Sequence, residues 1–210
     1  MQRFNIRDHL KTVIIAVARC LLGIRGPSQT TNRRLLHERG ETAMSLTIRE
    51  ATVADLVALA RLHVETWNAT YPGVRSKPTY EIRERQWRET FAVTDGTWFC
   101  FVIERRDGQL IGFAKGTRNA HPEFAGELNK IYLRREYQRL GLGRRLVGHV
   151  ARRFLSQGIS SMILFAEPQN PSCAFYEALE AERLRDDAGR FHGAYGWRDL
   201  LRLASICPIE

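Results

Sequence analysis

Two glycines, one residue apart, stand in the stretch QRLGLGRRL, just before a run of basic and apolar residues. Gly141 and Gly143 are placed to open a helix, where the first backbone N–H groups have no partner within the helix. Glycines at such a turn let an anion approach bare backbone, and the helix dipole favours negative charge there. The pattern therefore favours a phosphate-type ligand, and a pyrophosphate fits this arrangement.

Side chains around the two glycines can add to such a site. Gln138, Arg139, Arg144 and Arg145 offer hydrogen-bond donors or positive charge. Two nucleotide motifs are excluded by spacing, because G-x-x-x-x-G-K-[ST] is absent and G-x-G-x-x-G would need a glycine where Leu146 stands. Since G-x-G also occurs where a helix entry simply packs tightly, both interpretations stay open at this point.

Hydrophobic periodicity predicts the elements ahead of this turn. LTIREA is typical of a strand, and TVADLVALARLHVETW of a helix with Thr52 and Asp55 at capping-box spacing. On that helix we expect His63 to be a satisfied, half-buried side chain rather than a ligand. A second helix over 82–91 precedes the strands TWFCFVIE and QLIGFAKG, which an Asp-Gly turn joins, and ELNKIYL is the next strand.

The helix after the glycines carries an apolar face formed by Leu142, Leu146, Val150 and Phe154. SSMILFAE then indicates a buried strand and PSCAFYEALE a short helix. We expect ERLRDD and YGWRDLLRL to be the strands that close the sheet. This alternation predicts an α/β fold around a mixed, strongly twisted sheet.

The net charge of +9 is unevenly distributed along the chain. Residues 1–45 contain eight Lys and Arg against three acidic residues, which leaves +4 for the remainder. We expect 1–45 to be a basic extension, helical or poorly ordered and without a catalytic part, ahead of a domain over 46–210. No run of 18 apolar residues occurs, so the sequence predicts no transmembrane helix.

The four cysteines are scattered along the chain. They form no C-x-x-C pair and have no histidine at metal-ligand spacing. The sequence therefore indicates neither a disulfide framework nor a bound metal, and a reducing, cytoplasmic location is expected.

The order of the motifs resembles the GNAT superfamily of acyl-CoA-dependent N-acetyltransferases. Q-x-x-G-x-G follows the strand ELNKIYL and opens an amphipathic helix, and NPSCAFYEAL occurs at the next strand-to-helix junction. The resemblance covers 46–210 in element order and is sharpest from Glu127 to Leu179. It implies a six- to seven-stranded GNAT-like sheet with helices on both faces, and acetyl-CoA as co-substrate.

The resemblance also implies roles for individual residues. Backbone amides of the turn would bind the pyrophosphate of CoA, and the turn comprises Gln138, Arg139, Leu140, Gly141, Leu142, Gly143 and Arg144. The strand backbone at Ile131, Tyr132 and Leu133 would splay from its neighbour, pair with the pantetheine arm and polarise the thioester carbonyl. Asn170 would hydrogen-bond the cofactor, Tyr176 would protonate the departing thiolate, and Glu127 would act as general base.

General chemistry agrees with these roles. An amine must be neutral to attack a thioester, and a free alkylammonium is overwhelmingly protonated at about pH 7, so a carboxylate base is useful. Negative charge developing on the carbonyl oxygen needs preorganised donors, which a free strand amide supplies. Direct attack requires no covalent enzyme intermediate, so no poised Cys or Ser is expected.

Each role has a structural alternative. Glu127 could be a rim carboxylate, Tyr176 a packing residue, and Asn170 a helix cap in addition to a cofactor ligand. Two competing functions also stay open. One is a GNAT-like domain that binds acyl-CoA without turnover, and the other is a polyanion-binding protein acting through residues 1–45.

The sequence does not identify the amine acceptor, which we expect to be a small molecule or a peptide rather than nucleic acid. The region 67–87 and the segment RFHGAYGWRDL are expected to contact it. Tyr71, Trp87, Tyr195 and Trp197 are candidates for an aromatic pocket, although aromatics at these positions are as often core. Oligomeric state stays open, with a homodimer as one alternative.

One position departs from the family pattern. The short helix of relatives usually ends in glycine, whereas EALEAE has Glu180 and Ala181 there. A left-handed helix end is unfavourable for any residue with a β-carbon. We therefore expect the turn at Glu180 to be rebuilt or strained.

Overall fold

A computed structural model describes residues 46–168, 170 and 172–209. Within them the chain forms seven strands and five α-helices in alternation. The predicted basic extension over 1–45 lies outside the described residues. The elements in chain order are β1 (Leu46–Glu50), α1 (Leu56–Thr70), α2 (Tyr80–Ala92), β2 (Trp98–Arg105), β3 (Leu110–Arg118), β4 (Gly126–Leu133), α3 (Leu142–Ser156), β5 (Met162–Phe165), α4 (Cys173–Glu177), β6 (Glu182–Arg185), β7 (Phe191–Trp197) and α5 (Leu200–Ile206).

All seven strands belong to one mixed sheet with the order β1-β2-β3-β4-β5-β7-β6. Neighbouring strands are antiparallel except β4 and β5, which are parallel because α3 crosses over between them. The parallel pair is short, since only Gly126 with Met162 and Glu127 with Ile163 are in register. The predicted α/β architecture is confirmed, and its middle is held together by this short pairing.

Helices cover both faces of the sheet and bury a separate hydrophobic cluster on each. On one side, called the α1–α2 face, those two helices pack over β2 and β3 around Leu59, Trp87 and Phe113. On the other, the α3–α5 face, α3 to α5 pack over the sheet. The predicted stripe of α3, from Leu142 to Phe154, is fully inside this second cluster.

The capping box predicted at the start of the first helix is present. Thr52 is the N-cap of a short 3-10 turn that leads into α1, and its backbone N–H donates to the Asp55 carboxylate (2.8 Å). The same carboxylate accepts two hydrogen bonds from Arg49, which ties this helix entry to β1. Arg49 thereby lowers the pKa of Asp55.

The end of the chain differs from the sequence prediction. We expected YGWRDLLRL to be a closing strand, but β7 stops at Trp197 and Leu200–Ile206 is helical. Asp199 causes the change, because its carboxylate accepts from the backbone N–H groups of Leu201 (2.9 Å) and Arg202 (3.0 Å) as an N-cap. Leu200, Leu203 and Ala204 then fall on one buried helical face.

The turn after α4 is strained as expected. Glu180 has φ +62°, in the left-handed region, and the next residue, Ala181, donates its backbone N–H to the Tyr176 carbonyl (3.1 Å). Arg202 from α5 donates to both carboxylate oxygens of Glu180 (3.0 and 2.8 Å). This ion pair partly offsets the backbone strain, although exposed pairs stabilise little.

None of the helices in the described part of the chain combines the length and the apolar character needed to cross a membrane.

Candidate active site

A single large cleft, with a volume of about 2140 Å³, collects the predicted site residues. It runs along β4 from the start of that strand to the first turn of α3, and α1, α2 and α4 contribute walls. Of the residues predicted to bind the cofactor or to take part in catalysis, only Leu140 and Leu142 are missing from its lining. Leu142, the first residue of α3, is buried in the core and can contribute to the cleft through its backbone only, whereas the Leu140 side chain is exposed outside the cleft lining.

The cleft exists because two strands diverge. Beyond Glu127, β4 pairs with β3 but has no further partner on β5 within the described residues. Ile131, Tyr132 and Leu133 therefore lie along a strand edge that opens into the cleft. The predicted splay at these three residues is present, and it leaves backbone hydrogen-bonding groups free for an extended ligand.

A bulge changes which side chains of β4 point into the cleft. Lys130 pairs with Lys115 and Leu128 pairs with Gly116, so Asn129 is an extra residue between the two pairs. Simple alternation would put Glu127 and Lys130 on opposite faces of the sheet. Because of the bulge, both lie on the α1–α2 face and line the cleft.

The glycine turn at the entry of α3 has the geometry of an anion site. Gly141 is the N-cap of α3 with φ +81°, and Arg145 donates the first intrahelical bond to its carbonyl (3.1 Å). The backbone amides of Arg139, Leu140 and Gly141 donate to no other described residue. Those of the helix's first turn, from Leu142 to Arg144, lack intrahelical partners by their position.

The two glycines have different structural roles in this turn. Gly141 supplies the left-handed backbone, which Arg139 also adopts with φ +65°. Gly143 instead permits close packing, because a β-carbon there would lie 3.3 Å from the Phe175 ring. Gln138 secures the turn by donating from its side-chain amide to the Leu133 carbonyl (3.0 Å). Sequence reasoning missed the left-handed conformation of Arg139.

Only some of the predicted basic side chains face the cleft. Arg139 and Arg144 line it. Arg145 turns away and donates to the carbonyl of Ile209 (3.4 and 3.2 Å), near the end of α5. Arg152, also on α3, donates to the carbonyls of Ala204 and Cys207 (2.8 Å each). The sequence allowed Arg145 to add charge to the anion site, but its guanidinium binds the Ile209 carbonyl, beyond the C-cap of α5, instead. Arg152 is the side chain that binds the C-terminal carbonyls of that helix.

Tyr176 lies on α4 with its ring packed against Phe175, Tyr195 and Trp197. The residue is only 6% exposed, and it lines the cleft. Burial raises the pKa of its phenol well above the ordinary value. The hydroxyl therefore stays protonated over the physiological pH range and is available as a proton donor.

Asn170 has the helix-supporting role considered for it and also contacts the opposite wall of the cleft. Its carboxamide oxygen accepts from the Ser172 backbone N–H (2.9 Å) and so supports the start of α4. Its amide nitrogen donates to the Tyr71 hydroxyl (2.9 Å), across the cleft from α1. Asn170 and Tyr71 thus connect the two walls, a pairing that the sequence did not reveal because 99 positions separate the residues.

Glu127 stands near the start of β4, opposite Thr117 of β3. One carboxylate oxygen accepts from the Asn129 side chain (2.8 Å) and the other from that of Asn119 (3.4 Å). Both partners are neutral, and within the described residues the carboxylate forms no ion pair. A half-buried carboxylate held by amides at the edge of a cleft can accept a proton directly or through water.

The wall of the cleft opposite α3 contains a group that sequence reasoning missed, formed by Arg83 on α2, Lys115 on β3 and Lys130 on β4. His63 lies beside it and is 2% exposed. Its ring contacts Trp87, Phe113 and Tyr132, but its Nδ1 has no hydrogen-bond partner among the described residues. Burial first, then the three cations, lower the pKa of His63 to about 2.

The four aromatic residues considered for the acceptor pocket separate into two pairs. Tyr71 and Trp87 line the cleft, and Tyr195 and Trp197 belong to the core on the α3–α5 face. No group of three or more His, Cys, Asp or Glu side chains in the described part of the chain is arranged to hold a metal ion.

Comparison with known proteins agrees with this architecture. The family model described as "Acetyltransferase (GNAT) family" matches residues 57–180. An uncharacterized N-acetyltransferase, YuaI, from Bacillus subtilis is 32% identical over 174 residues, which is 77% of this chain and 98% of that protein. The chain therefore belongs to the GNAT acetyltransferase family.

Two further similar proteins carry more specific names. Phosphinothricin N-acetyltransferase from Streptomyces viridochromogenes is 29% identical over 163 residues, covering 73% of this chain and 83% of that protein. The crystal structure of PaiA N-acetyltransferase from Thermoplasma acidophilum in complex with coenzyme A superposes with a TM-score of 0.60 at 23% identity. It covers 73% of this chain and 98% of that one, and at this identity the match concerns the fold.

Proposed function

We propose that this protein is an N-acetyltransferase that moves an acetyl group from acetyl-CoA to a primary amine by direct attack. The observation that carries the proposal is the free edge of β4, which leads from Glu127 to the glycine turn within one cleft. A linear cofactor with a phosphate group at one end and a reactive group at the other needs an extended binding groove of this kind. Membership of the GNAT family supports the same reaction.

The residues present fit CoA at both ends of this groove, the glycine turn and the free edge of β4. The backbone N–H of Gln138 already donates to the Arg135 carbonyl (3.2 Å), so the amides from Arg139 to Arg144 would hold the pyrophosphate, and Gly141 gives the backbone its left-handed bend. The backbone of Ile131–Leu133 would pair with the pantetheine arm, and Asn170 would hydrogen-bond the cofactor from the opposite wall. Acetyl-CoA supplies the activated thioester.

Two side chains of the cleft would move protons in this reaction. Glu127 accepts the proton of the incoming ammonium, directly or through a water molecule, so that a neutral amine attacks. Tyr176 donates a proton to the departing thiolate, and the burial that raises its pKa keeps it protonated until then. The nitrogen, positively charged after attack, loses its second proton to the phenolate so formed, which restores Tyr176. A free amide of the β4 edge stabilises charge that develops on the carbonyl oxygen.

The proposal assigns catalysis to the domain over 46–210, and the basic extension over 1–45 has no catalytic part in it. The acceptor is a small-molecule or peptide amine that enters on the α1–α2 face, where Tyr71 and Trp87 line the cleft.

The full-length chain tests the proposal in a single assay. We would measure thiol release from acetyl-CoA with a panel of primary amines and identify N-acetylated products by mass spectrometry. The panel includes phosphinothricin, because one relative is named for it. We expect at least one amine to be acetylated. Acetyl-CoA binding without turnover of any amine would instead support a non-catalytic acyl-CoA-binding domain.

A further inference from the structure

Three cationic side chains converge on one wall of the cleft. Lys115 and Lys130 are register partners on neighbouring strands, so their side chains project from the same face of the sheet. The Lys115 ammonium lies over the rings of Trp87 (6.0 Å) and Trp98 (5.6 Å), which places both lysines under α2. Arg83, one helical turn before Trp87 on α2, completes the group, called here the basic wall.

The basic wall is electrostatically unfavourable by itself. Like charges directly opposite each other in a sheet repel, and burial adds a desolvation penalty. Burial, then the charges of Lys115 and Arg83, lower the pKa of Lys130 to about 8, and burial also lowers the pKa values of Lys115 and Arg83. Glu127 is the acid close enough to act on both lysines, and its oxygens accept from asparagines instead.

The hydrogen bonds of the basic wall involve neutral groups. Lys115 donates to the Thr90 hydroxyl (3.3 Å), Lys130 to the Asn129 carboxamide oxygen (2.6 Å) and Arg83 to that of Gln86 (2.8 Å). None of the three cations forms an ion pair with a described residue. Among the described acidic side chains, Glu127 offsets part of the charge of the two lysines without pairing with either of them.

Two buried donors on the same helix face point to an acceptor-rich ligand. The Nε of Arg83 and the indole Nε1 of Trp87 are buried without a hydrogen-bond partner among the described residues. Both nitrogens can only donate, and the residues are four apart on α2, so they lie on one side of the helix. His63 Nδ1, also without a described partner, lies beside the Trp87 ring.

We propose that the amine acceptor carries an anionic group, a carboxylate or a phosphonate-type oxyanion, and that Arg83, Lys115 and Lys130 bind it. This inference rests on the proposed acetyl transfer, because it names the acceptor's chemical class. An oxyanion would compensate the charge of the basic wall and accept from the orphaned donors. Charge-assisted bonds of this kind are the strong ones.

The same wall disfavours the opposite class of acceptor. A polyamine would bring additional ammonium groups toward three cations of the protein. For an acceptor with one amine and one anionic group, the cations attract the anion and also favour the neutral form of the nearby amine, which is the form that attacks. The basic wall therefore contributes both binding and specificity.

The basic wall is separate from the pyrophosphate turn. Lys130 lies three residues before Leu133, where β4 ends, which corresponds to about 10 Å along a strand. The turn itself begins only at Gln138. The three cations also lie on the α1–α2 face, near Glu127, and so are positioned for the acceptor rather than for the phosphates of CoA.

The experiment measures binding separately from turnover. Full-length protein saturated with CoA is titrated in a calorimeter with N-acetylglycine, N-acetylleucine and N-acetylphenylalanine, and with the amide of each. These compounds are the products expected from amino acid acceptors, and each pair differs only in its negative charge. In parallel, acetylation rates are measured for the three free amino acids, 2-aminoethylphosphonate, ethanolamine and spermidine.

Variants assign any preference to the basic wall. Lys115→Met and Lys130→Met remove one cation each while keeping an apolar stem. Arg88→Met is the control, because Arg88 lies on α2 with Arg83 of the basic wall but is exposed and pairs with Glu84 (2.7 Å). The affinity of each variant for CoA verifies that the cofactor site is intact.

We expect at least one acid to bind about tenfold to a hundredfold more tightly than its amide, in line with a charge-assisted hydrogen bond. Each lysine variant should lose most of this preference and keep its CoA affinity, and Arg88→Met should keep both. Lys130→Met should also raise the melting temperature, because it removes a cation that has no ion pair among the described residues. If Lys130 only stabilised the fold, Lys130→Met would instead lower the melting temperature.

The proposal is overturned if no acid binds, if amides bind as well as acids, or if the preference survives both lysine substitutions. Preferred acetylation of spermidine would also overturn it. Failure of the proposed function looks different, since acid binding would then persist in the basic wall while no amine is acetylated.

Discussion

The two halves of the cleft are built from different parts of the polypeptide. The half proposed to bind the cofactor, here the cofactor half, is mainly backbone, consisting of the open edge of β4 and the amides of the turn at Gly141. The half proposed to bind the amine, here the acceptor half, is mainly side chains, which come from α1, α2, β3 and β4 and include His63, Arg83 and Lys115. A backbone site can persist while side chains vary, whereas a side-chain site changes with each substitution. This difference explains how one fold can keep its cofactor site while its acceptor site changes.

The proton donor offers the largest expected effect. Tyr176→Phe should lower turnover by about a hundredfold or more, because a positioned general acid contributes on that scale. Since the proposed role of the tyrosine is to protonate the thiolate, in the cofactor half, the loss should be similar for every acceptor. The measurement is kcat with two unrelated amines, together with acetyl-CoA affinity, which should hardly change.

Tyr195→Phe is the matched control for this substitution. Tyr195 touches the Tyr176 ring (5.7 Å between centroids), but its hydroxyl donates to Glu177 (2.9 Å) and it belongs to the core. It should lose stability and keep kcat. An equal loss of acetyl-CoA affinity and turnover in Tyr176→Phe would show that the residue is a packing element.

The base should give a smaller effect that depends on the acceptor. Glu127→Gln should lower turnover by about tenfold to a hundredfold near neutral pH, because deprotonation of the ammonium then lacks its acceptor. The deficit should shrink as pH rises, since more of the amine is neutral in solution. It should also be larger for an amine of high pKa, which is the signature of a residue in the acceptor half.

Rates as a function of pH for two amines of different pKa check this prediction. Glu123→Gln removes an exposed carboxylate that pairs with Arg198 and should leave the profile unchanged. A pH-independent loss in Glu127→Gln would contradict the role of base and favour a water chain.

The smallest effect lies outside the cleft, at the left-handed turn after α4. Glu180→Gly should raise the melting temperature by about 2–4 °C relative to Glu180→Gln, because glycine adopts φ +62° without strain. Both variants lose the ion pair with Arg202, so the difference between their melting temperatures reports the backbone strain alone. Equal melting temperatures would mean that the turn relaxes when the side chain changes.

The difference between the halves also explains what the sequence could predict. The glycine turn and the stripe of α3 were predictable because each depends on residues close together in sequence. Glu180 was predictable for the same reason, since one residue type conflicts with one backbone conformation. The helix α5 was missed because its cap, Asp199, lies inside a segment whose apolar residues also suit a strand.

The acceptor half could not be predicted, because it depends on long-range register. Nothing local to KGTRN or ELNKIYL indicates that Lys115 and Lys130 stand opposite each other. The bulge at Asn129 decides which face Lys130 occupies, and bulges leave no reliable sequence signal when no glycine is involved. Arg83 joins them only through the packing of α2 on the sheet.

A calorimetric titration of the full-length chain with acetyl-CoA tests the central claim most directly, together with Gly141→Glu and Gly158→Glu. Both glycines have left-handed backbones, with φ +81° and +74°, and a β-carbon would meet nothing within 4 Å at either, so the two variants share the same backbone strain. Only Gly141 lies in the proposed pyrophosphate turn. We predict that the wild type binds acetyl-CoA, that Gly141→Glu weakens binding by about a hundredfold, and that Gly158→Glu keeps near-normal affinity. Equal weakening in both variants, or no binding by the wild type, would contradict it.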